Sequence, residues 1–265
     1  MKEEKLEGRQ ALRYIITRTL VVWAIIGVLF CTFRFLDARR QANERFEITA
    51  LVCRSHTPDQ VAPSVFAEYL GLSCDEPTNL FSFSPRAAAQ KLKAIDVFSR
   101  VKVRRSRPGI VIIDYTLRTP YAQLADYENR AIDVRGTHIF PLYPFFSPKK
   151  IPELYLGGTE PARLALALEI AKRAETLLQW PFRLKALDVS GRFIASASRE
   201  IIVTIEEEAP SGSRAYVLRL HGKKWQEGLE RLPVLLPTLE GLPKNGGADT
   251  PSIIDLRVPK IALFR

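Results

Sequence analysis

The sequence predicts an α+β fold in which a single N-terminal transmembrane helix precedes a β-α-α-β-β unit and then a mainly antiparallel β region with one long helix. Three observations predict it. An uncharged apolar stretch lies near the N-terminus, a strand-helix-helix-strand-strand pattern follows it, and short strand patterns interrupted by one clear helix pattern fill the rest. These patterns are typical of a membrane anchor followed by two layered domains.

The membrane anchor is predicted from the stretch Thr19 to Phe33, which contains no charged side chain and is bracketed by Arg18 and Arg34. As a helix this stretch is only about 22 Å long, which is short of a hydrocarbon core of about 30 Å. Extension to Tyr14–Leu36 gives about 34 Å and leaves both arginines near the ends, where long side chains reach the headgroups. We therefore predict a transmembrane helix over residues 14–36.

A cleaved signal peptide and a buried helix of a soluble protein are the alternatives to this anchor. The segment FLDARRQANERF, which follows the apolar residues, contains no small-x-small cleavage site, and the apolar stretch has no polar face. Both observations favour an uncleaved anchor with a tail at residues 1–13 and a polar linker at residues 37–45. Basic residues flank both sides almost equally, and a slight excess before the anchor predicts an N-terminus inside and domains outside.

The first domain is predicted over residues 46–120, where the local signals alternate between strand and helix. Ser84 and Pro85 suit the N-cap and first position of a helix, and Pro63 falls in the first turns of another. In chain order the predicted elements are a strand Phe46 to Cys53, a helix from Pro58 ended by Gly71, a helix from Ser84, and strands VFSRVKVRR and GIVIIDYTL joined by a turn at Ser106 to Gly109.

The second domain is predicted over residues 121–265 and consists mostly of short strands. One helix runs from about Pro161 to Trp180, with Thr159 as its cap and Pro181 as its stop. The strand patterns are YAQLADY, RAIDV, HIFPLY, RLKALDVSG, FIASASR, EIIVTIEEE and RAYVLRLHG. A broken helical segment, WQEGLERLPVLLPTLEG, then precedes a polar loop at Lys244 to Thr250 and a final strand pair, IIDLRV and IALFR.

Composition and motifs exclude most chemistries and predict no enzyme. Three cysteines without a CxxC pair and three scattered histidines predict no metal site, and no nucleophile motif or phosphate loop predicts a catalytic or cofactor site. Gly157, Gly158 and Thr159 read as a loop plus a helix cap, and the triplet Glu206 to Glu208 reads as a solvated strand edge. Cys53 and Cys74 are either a disulfide pair or, in an apolar setting, buried thiols.

The net charge of +10 suggests an anionic neighbour such as nucleic acid, phospholipid headgroups or an acidic partner. The densest basic run, Lys91 to Arg107, holds seven Lys or Arg residues against one Asp. Lys102 and Arg104 alternate with Val101 and Val103, as on a solvated sheet face, and no aromatic stacking platform accompanies them. Nucleic acid is therefore not an expected partner.

Three segments together resemble the FtsQ/DivIB family of bacterial cell-division proteins. Asn79 to Leu124 is similar to that family's POTRA domain, with an Asn-Leu-Phe start, a helix, a basic strand and a proline-containing turn. AIDVRGTHIFPL followed by IPELYLGG is similar to the opening of the family's β domain, and SIIDLRVPKIALFR to its closing strands. Three positions depart from the family pattern: Leu117 replaces a glutamate before Arg118, Val258 replaces an aromatic residue after IDLR, and Pro259 stands where a tight turn with glycine is usual.

The resemblance implies a non-enzymatic single-pass protein of the cytoplasmic (inner) membrane, with its bulk outside the cytoplasm, that recruits the divisome proteins FtsB and FtsL. It implies no cofactor. In that family the C-terminal strands accept a strand from FtsB, which is β-augmentation of a sheet edge. The partner-binding residues that it implies here are Ile253, Ile254, Asp255, Leu256, Arg257, Val258, Ala262 and Phe264.

Alternation along these strands allows one face to pack inward. Ile254, Leu256 and Val258 would form the inward face against Asp255 and Arg257, and Ala262 and Phe264 would do the same on the last strand. Without the resemblance, the same pattern reads as an ordinary core hairpin that closes the domain. A POTRA-containing assembly or translocation factor for exported polypeptides is the alternative function, although one POTRA unit with an N-terminal anchor and no membrane β-barrel favours the division scaffold.

Overall fold

The computed structural model shows an α+β protein with an N-terminal apolar helix and one large mixed sheet. It describes residues 2–73, 75–193, 199–209, 212–240, 252–258 and 261–264. Contacts divide the chain into two compact units. The first unit comprises Met1–Arg54, Pro63–Leu92 and Val101–Tyr115, and the second comprises Ser55–Ala62, Lys93–Arg100 and Thr116–Arg265.

The first helix, α1, spans Lys2–Gln41. Its stretch Thr17–Gln41 has a mean hydropathy of 2.1 and is long and apolar enough to cross a membrane by length and composition. The apolar side chains along it are exposed. The helix continues beyond Leu36 into the segment predicted as a linker, where Gln41 Nε2 donates to Asp37 Oδ2 at 3.1 Å. The polar linker is therefore helical up to residue 41.

The β-α-α-β-β order predicted after the anchor is present. Its elements are β1 (Ala50–Ser55), α2 (Pro63–Leu70), α3 (Pro85–Lys93), β2 (Phe98–Ser106) and β3 (Ile110–Leu117), and the sheet order is β1-β3-β2. Ser84 caps α3 as predicted, since its Oγ accepts from the Ala87 N–H at 3.3 Å. Phe66 of α2 packs on Tyr115 of β3 with ring centroids 4.9 Å apart, so α2 covers part of one face of this sheet.

Two predicted boundaries in this region are wrong. The first strand begins at Ala50 rather than Phe46, because Glu44–Phe46 forms a 3-10 turn whose first N–H groups are capped by Asn43. Helix α2 begins at Pro63 rather than near Pro58. Proline disfavours helical backbone at the preceding residue, so it defines a first helical position better than an interior one.

The second unit contains a nine-stranded sheet. Its strands are β4 (Pro120–Leu124), β5 (Arg130–Asp133), β6 (Ile139–Pro141), β7 (Glu153–Tyr155), β8 (Phe182–Asp188), β9 (Glu200–Ala209), β10 (Gly212–His221), β11 (Ser252–Asp255) and β12 (Leu263–Phe264). The strand order is β12-β11-β10-β9-β8-β7-β4-β5-β6. The remaining helices are α4 (Pro161–Leu177), α5 (Ser190–Phe193), α6 (Trp225–Leu229) and α7 (Leu232–Glu240).

Three neighbouring strand pairs are parallel, so the sheet is mixed. β7 pairs in parallel with β4 and with β8, and β10 pairs in parallel with β11, whereas the other pairs are antiparallel. Helix α4 connects β7 to β8, and α6 with α7 connects β10 to β11. A helical crossover returns the chain to the same end of the sheet, so each following strand runs parallel to its predecessor.

Helices α4, α6 and α7 cover one face of this sheet. Their apolar residues share one buried cluster with the inward side chains of the strands, among them Leu187, Val203, Leu218 and Ile254. Four details of the predicted elements differ. Glu160 is the N-cap of α4 in place of Thr159, α4 ends at Leu177, and β7 was not predicted. The predicted strand FIASASR begins in α5 and then leaves the described residues.

Candidate partner-binding edge

The C-terminal strands form one edge of the nine-stranded sheet. β11 pairs with β10, with Val217 opposite Ile253 and Leu218 opposite Ile254. β12 pairs antiparallel with β11, with Ile254 opposite Phe264 and Asp255 opposite Leu263. β12 is the last strand in the order, and no strand in the described ranges lies on its outer side. Alternate N–H and C=O groups of an edge strand point away from the sheet and are free to pair with an added strand.

The predicted alternation is present in β11. Ile254 and Leu256 are 0% and 2% exposed and belong to the main core cluster. Asp255 and Arg257 are half-buried on the opposite face, and the neighbouring Ile253 shares that face. Ile254 and Leu256 therefore hold the edge onto the domain, and a partner cannot reach their side chains while the domain is folded.

Two of the predicted inward side chains are not buried. Val258 is 44% exposed because it follows the end of β11, and Phe264 is 46% exposed although it lies opposite the fully buried Ile254. Phe264 is on the last strand, and no strand in the described ranges lies on its outer side. Ala262 packs against the core cluster, as predicted. Pro259 lies outside the described residues.

The exposed apolar residues of this edge form what we name the C-terminal apolar patch: Ile253, Val258, Ile261, Leu263 and Phe264. Residues opposite each other in a strand pair lie on the same face of the sheet. Phe264 therefore lies on the helix-covered face with Ile254, and Leu263 lies on the open face with Asp255. A strand added beside β12 would find an apolar side chain on both faces.

Arg231 connects the edge to the helices. It lies between α6 and α7, and its Nη1 donates to the carbonyl oxygens of Val258 at 2.9 Å and Ile261 at 3.3 Å. The first carbonyl follows β11 and the second precedes β12. One guanidinium therefore holds the described residues on both sides of the connection between these strands, a contact that the sequence pattern did not indicate.

Substitution of Arg231 by Ala is expected to loosen the edge without unfolding the domain. Loss of hydrogen bonds at a partly exposed site costs about 1–2 kcal/mol, which lowers the melting temperature by only a few degrees, roughly 2–8 °C. Amide exchange of residues 252–264 should become faster in R231A and stay unchanged in a K223A control. Equal exchange in R231A and the parent would contradict the positioning role.

The open face of the edge carries a network of four charged side chains. Arg257 Nε donates to Asp255 Oδ1 at 2.9 Å, and Arg257 Nη1 lies 3.3 Å from Glu200 Oε2. Arg219 Nη2 donates to the same Glu200 oxygen at 2.6 Å. The hydrogen bond from Arg257 holds the pKa of Asp255 below its usual value, and the same bond raises the pKa of Arg257. Arg257 and Arg219 both pair with Glu200, which links the end of β11 to β9 and β10.

This network predicts a pH-dependent contribution to stability. The ionised Asp255 stabilises the fold above the pKa of an unfolded aspartate, and this stabilisation is lost as the pH falls through its lowered folded pKa. Asp255→Asn is expected to lower the unfolding free energy by about 1 kcal/mol at pH 7. Thermal melts of the full chain in a non-ionic detergent should show a parent–variant difference that shrinks towards pH 3. A constant difference would contradict this prediction.

The interpretation of the triplet Glu206 to Glu208 as a solvated strand edge is wrong for Glu206. Glu206 is 6% exposed rather than solvated, and it forms ion pairs with Arg183 and, at 3.4 Å, with Lys185. Burial would raise the pKa of Glu206, but a hydrogen bond from Ser213 and the two cations outweigh it and lower the pKa. The two cations of β8 and the hydroxyl of Ser213 in β10 thus hold the Glu206 carboxylate in place, which indicates a structural role.

The described residues contain no group of three or more His, Cys, Asp or Glu side chains placed to hold a metal ion. Cys53 is a free, half-buried thiol, and burial raises its pKa to about 11. Cys53 therefore matches the buried-thiol alternative, and Cys74 lies outside the described residues.

No protein-family model matches this chain, and no curated protein sequence is significantly similar to it.

Proposed function

We propose that this chain is a non-enzymatic scaffold of the bacterial division machinery, of the FtsQ/DivIB kind, and that its C-terminal edge binds an FtsB-like protein. The observation that carries the proposal is the edge strand β12, which ends the sheet and exposes Leu263 and Phe264 on its two faces. Exposed apolar side chains beside open backbone groups are what an added strand needs, because main-chain bonds give affinity and side chains give specificity.

The domain organisation proposed here is that of the family. Residues 14–36 cross the cytoplasmic membrane, residues 1–13 are cytoplasmic, and the domains at 46–120 and 121–265 lie outside. The order β1-α2-α3-β2-β3 supports a POTRA-like first domain, and the apolar helix α1 supports the single membrane pass. FtsB- and FtsL-like proteins, themselves single-pass, would meet this chain at the outer surface of the same membrane.

Capture of the partners by the full chain tests this proposal. The tagged full chain would be co-expressed with the host's FtsB- and FtsL-like proteins, extracted in a non-ionic detergent and purified through its tag. We expect both proteins to co-purify, with the FtsB-like protein in direct contact with β12 in cross-linking from a photoreactive residue at position 263. A folded chain that captures neither protein would contradict the proposal and favour the assembly-factor alternative.

A further inference from the structure

Two exposed arginines converge on one aromatic ring at the end of α1. The guanidinium carbon of Arg40 lies 5.8 Å from the centroid of the Phe81 ring, and that of Arg107 lies 5.5 Å from it. Arg40 belongs to α1, and Arg107 belongs to the turn between β2 and β3. All three residues are in the first unit. Residues distant in sequence thus form one basic cluster, which we name the Phe81 cluster.

The position of the Phe81 cluster is fixed by backbone contacts. Asn79 Nδ2 donates to the Arg40 carbonyl, near the end of α1, at 3.2 Å and to the Asn43 carbonyl, just beyond it, at 3.1 Å. The Leu80 N–H donates to the Phe46 carbonyl at 2.7 Å, and the Phe46 ring packs edge-on against Phe81 at 5.0 Å. The end of α1 is therefore fastened to residues 79–81.

The turn that carries Arg107 is held by hydrogen bonds to the segment that follows α1. The Thr49 N–H donates to the Gly109 carbonyl at 2.9 Å, and a Cβ at Gly109 would collide with the Glu47 carbonyl. Arg105, at the end of β2, donates to the Leu80 carbonyl at 3.2 Å and adds a third cation beside Phe81. Glycine at 109 thus lets the hairpin approach the segment that follows α1.

The depth of this cluster relative to a bilayer follows from helix geometry. Arg40 comes four residues after Leu36, where the apolar span ends, which corresponds to a rise of about 6 Å along the helix. The headgroup layer on each side of the hydrocarbon core is roughly 5–8 Å thick. With α1 in a membrane, Arg40 lies at the level of the lipid phosphates, and Phe81 brings Arg107 close to the same level.

The electrostatics of the cluster favour an anionic ligand. Neither Arg40 nor Arg107 forms an ion pair within the described part of the chain, whereas Arg104 on the same hairpin is paired with Asp114 at 2.6 Å. Guanidinium groups bind phosphate oxygens with two parallel hydrogen bonds, and stacking on an aromatic ring holds them in place for it. Two cations near one ring repel each other unless an anion lies between or beside them.

We propose that the Phe81 cluster binds the phosphate of an anionic phospholipid through Arg40 and Arg107. The inference rests on the proposed insertion of α1 into the membrane, and it adds a lipid-binding site that fixes the first unit at the bilayer surface. The ligand class is a phosphodiester headgroup with net negative charge, such as phosphatidylglycerol. A zwitterionic headgroup carries a compensating cation, so it binds such a cluster more weakly.

Lipid retention by the full chain tests the site. The tagged chain is purified in non-ionic detergent micelles with equal amounts of phosphatidylglycerol and phosphatidylcholine, washed, and its bound lipids are counted by headgroup. We expect the parent to retain phosphatidylglycerol preferentially. R40Q/R107Q should lose this preference by at least about fivefold, since each basic residue near an anionic surface contributes about that factor. R40K/R107K, which keeps the charges but not the paired hydrogen bonds, should be intermediate.

The matched control is R100Q/K102Q on β2, the strand that precedes the turn with Arg107. Lys102 is five residues before Arg107, about 16 Å along an extended strand, which exceeds the screening length of about 8–10 Å. The control should retain phosphatidylglycerol like the parent. Equal retention in R40Q/R107Q and the parent, an equal loss in the control, or full competition by free glycerol phosphate at the lipid's concentration would overturn the proposal.

The outcome is separable from the proposed division function. Partner capture depends on the C-terminal edge in the second unit, so a loss of lipid retention with intact capture overturns only the lipid site. Intact lipid retention without capture overturns only the scaffold function. Recovery of the parent chain in the aqueous fraction after alkaline washing of membranes would overturn the membrane anchor, and the lipid site with it.

Discussion

The double variant L263K/F264K is expected to bind the FtsB-like protein about a hundredfold more weakly than the parent while it melts at the parent's temperature. Both side chains are about half exposed, at 53% and 46%, so the substitutions remove little core packing. Burying two such side chains against a partner contributes about 1.5–3 kcal/mol each, and every 1.4 kcal/mol is tenfold in affinity. Lysine on an edge strand also opposes pairing with another strand.

The opposite edge of the same sheet provides the control. β6 is the last strand on that side, it carries Ile139, which is 43% exposed, and it is followed by Tyr143, which is 76% exposed. Pro141 lies in β6 and has no N–H to donate, so this edge is a poorer template for an added strand. I139K/Y143K should bind the partner like the parent. Equal loss of binding in both double variants would contradict a specific role for β12. The affinities would be measured by titration of the purified full chain in detergent.

Much of the secondary structure could be predicted because it depends on local signals. Ser84 and Pro85 define the start of α3 through capping, and the alternation of Val101 and Val103 with Lys102 and Arg104 defines β2. The start of α7 also follows from local sequence, since Pro233 lies in its first turn, where proline is best tolerated. These features need no information from distant residues.

The sheet order could not be predicted in the same way, because non-local contacts determine it. Glu153–Tyr155 is only three residues long and lies in a proline-rich segment, yet it pairs with β4 and β8 in the centre of the sheet. The side chain of Glu206 reads as solvated because its partners, Arg183 and Lys185, come from another strand. Both the pairing of β7 and the burial of Glu206 depend on which strands become neighbours in the sheet.

The candidate edge was predicted in outline but not in detail. The resemblance and the alternation placed a partner-binding strand pair at the C-terminus and Ile254 on its inward face. They did not separate the residues that hold the edge from the residues that a partner can contact. This distinction depends on exposure, which changes from 0% at Ile254 to 46% at Phe264 across one strand pair. An edge strand is covered on fewer sides than its neighbour, and sequence alternation does not report that.

Replacement of Ile254 by Lys is therefore expected to unfold the C-terminal part of the second unit rather than to act on binding alone. Ile254 is fully buried between Leu218 of β10 and Phe264 of β12. Loss of its packing together with burial of an unpaired ammonium group should cost at least about 4 kcal/mol of unfolding free energy. That corresponds to a fall in melting temperature of roughly 8–16 °C for a domain of this size.

Ile253, the preceding residue of β11, provides the matched comparison for Ile254. Ile253 is 36% exposed on the opposite face of the same strand, so I253K should change the melting temperature by no more than a few degrees, about 2–4 °C. Thermal melts of both variants, followed by near-ultraviolet circular dichroism, would measure the difference, and similar melting temperatures would contradict the assignment of faces in β11.

Removal of residues 251–265 is also expected to destabilise the second unit. Such a truncation takes Ile254 and Leu256 out of the core cluster, so its loss of binding would report unfolding of the second unit as well as loss of the edge. Only substitutions at exposed positions such as 263 and 264 separate the two effects.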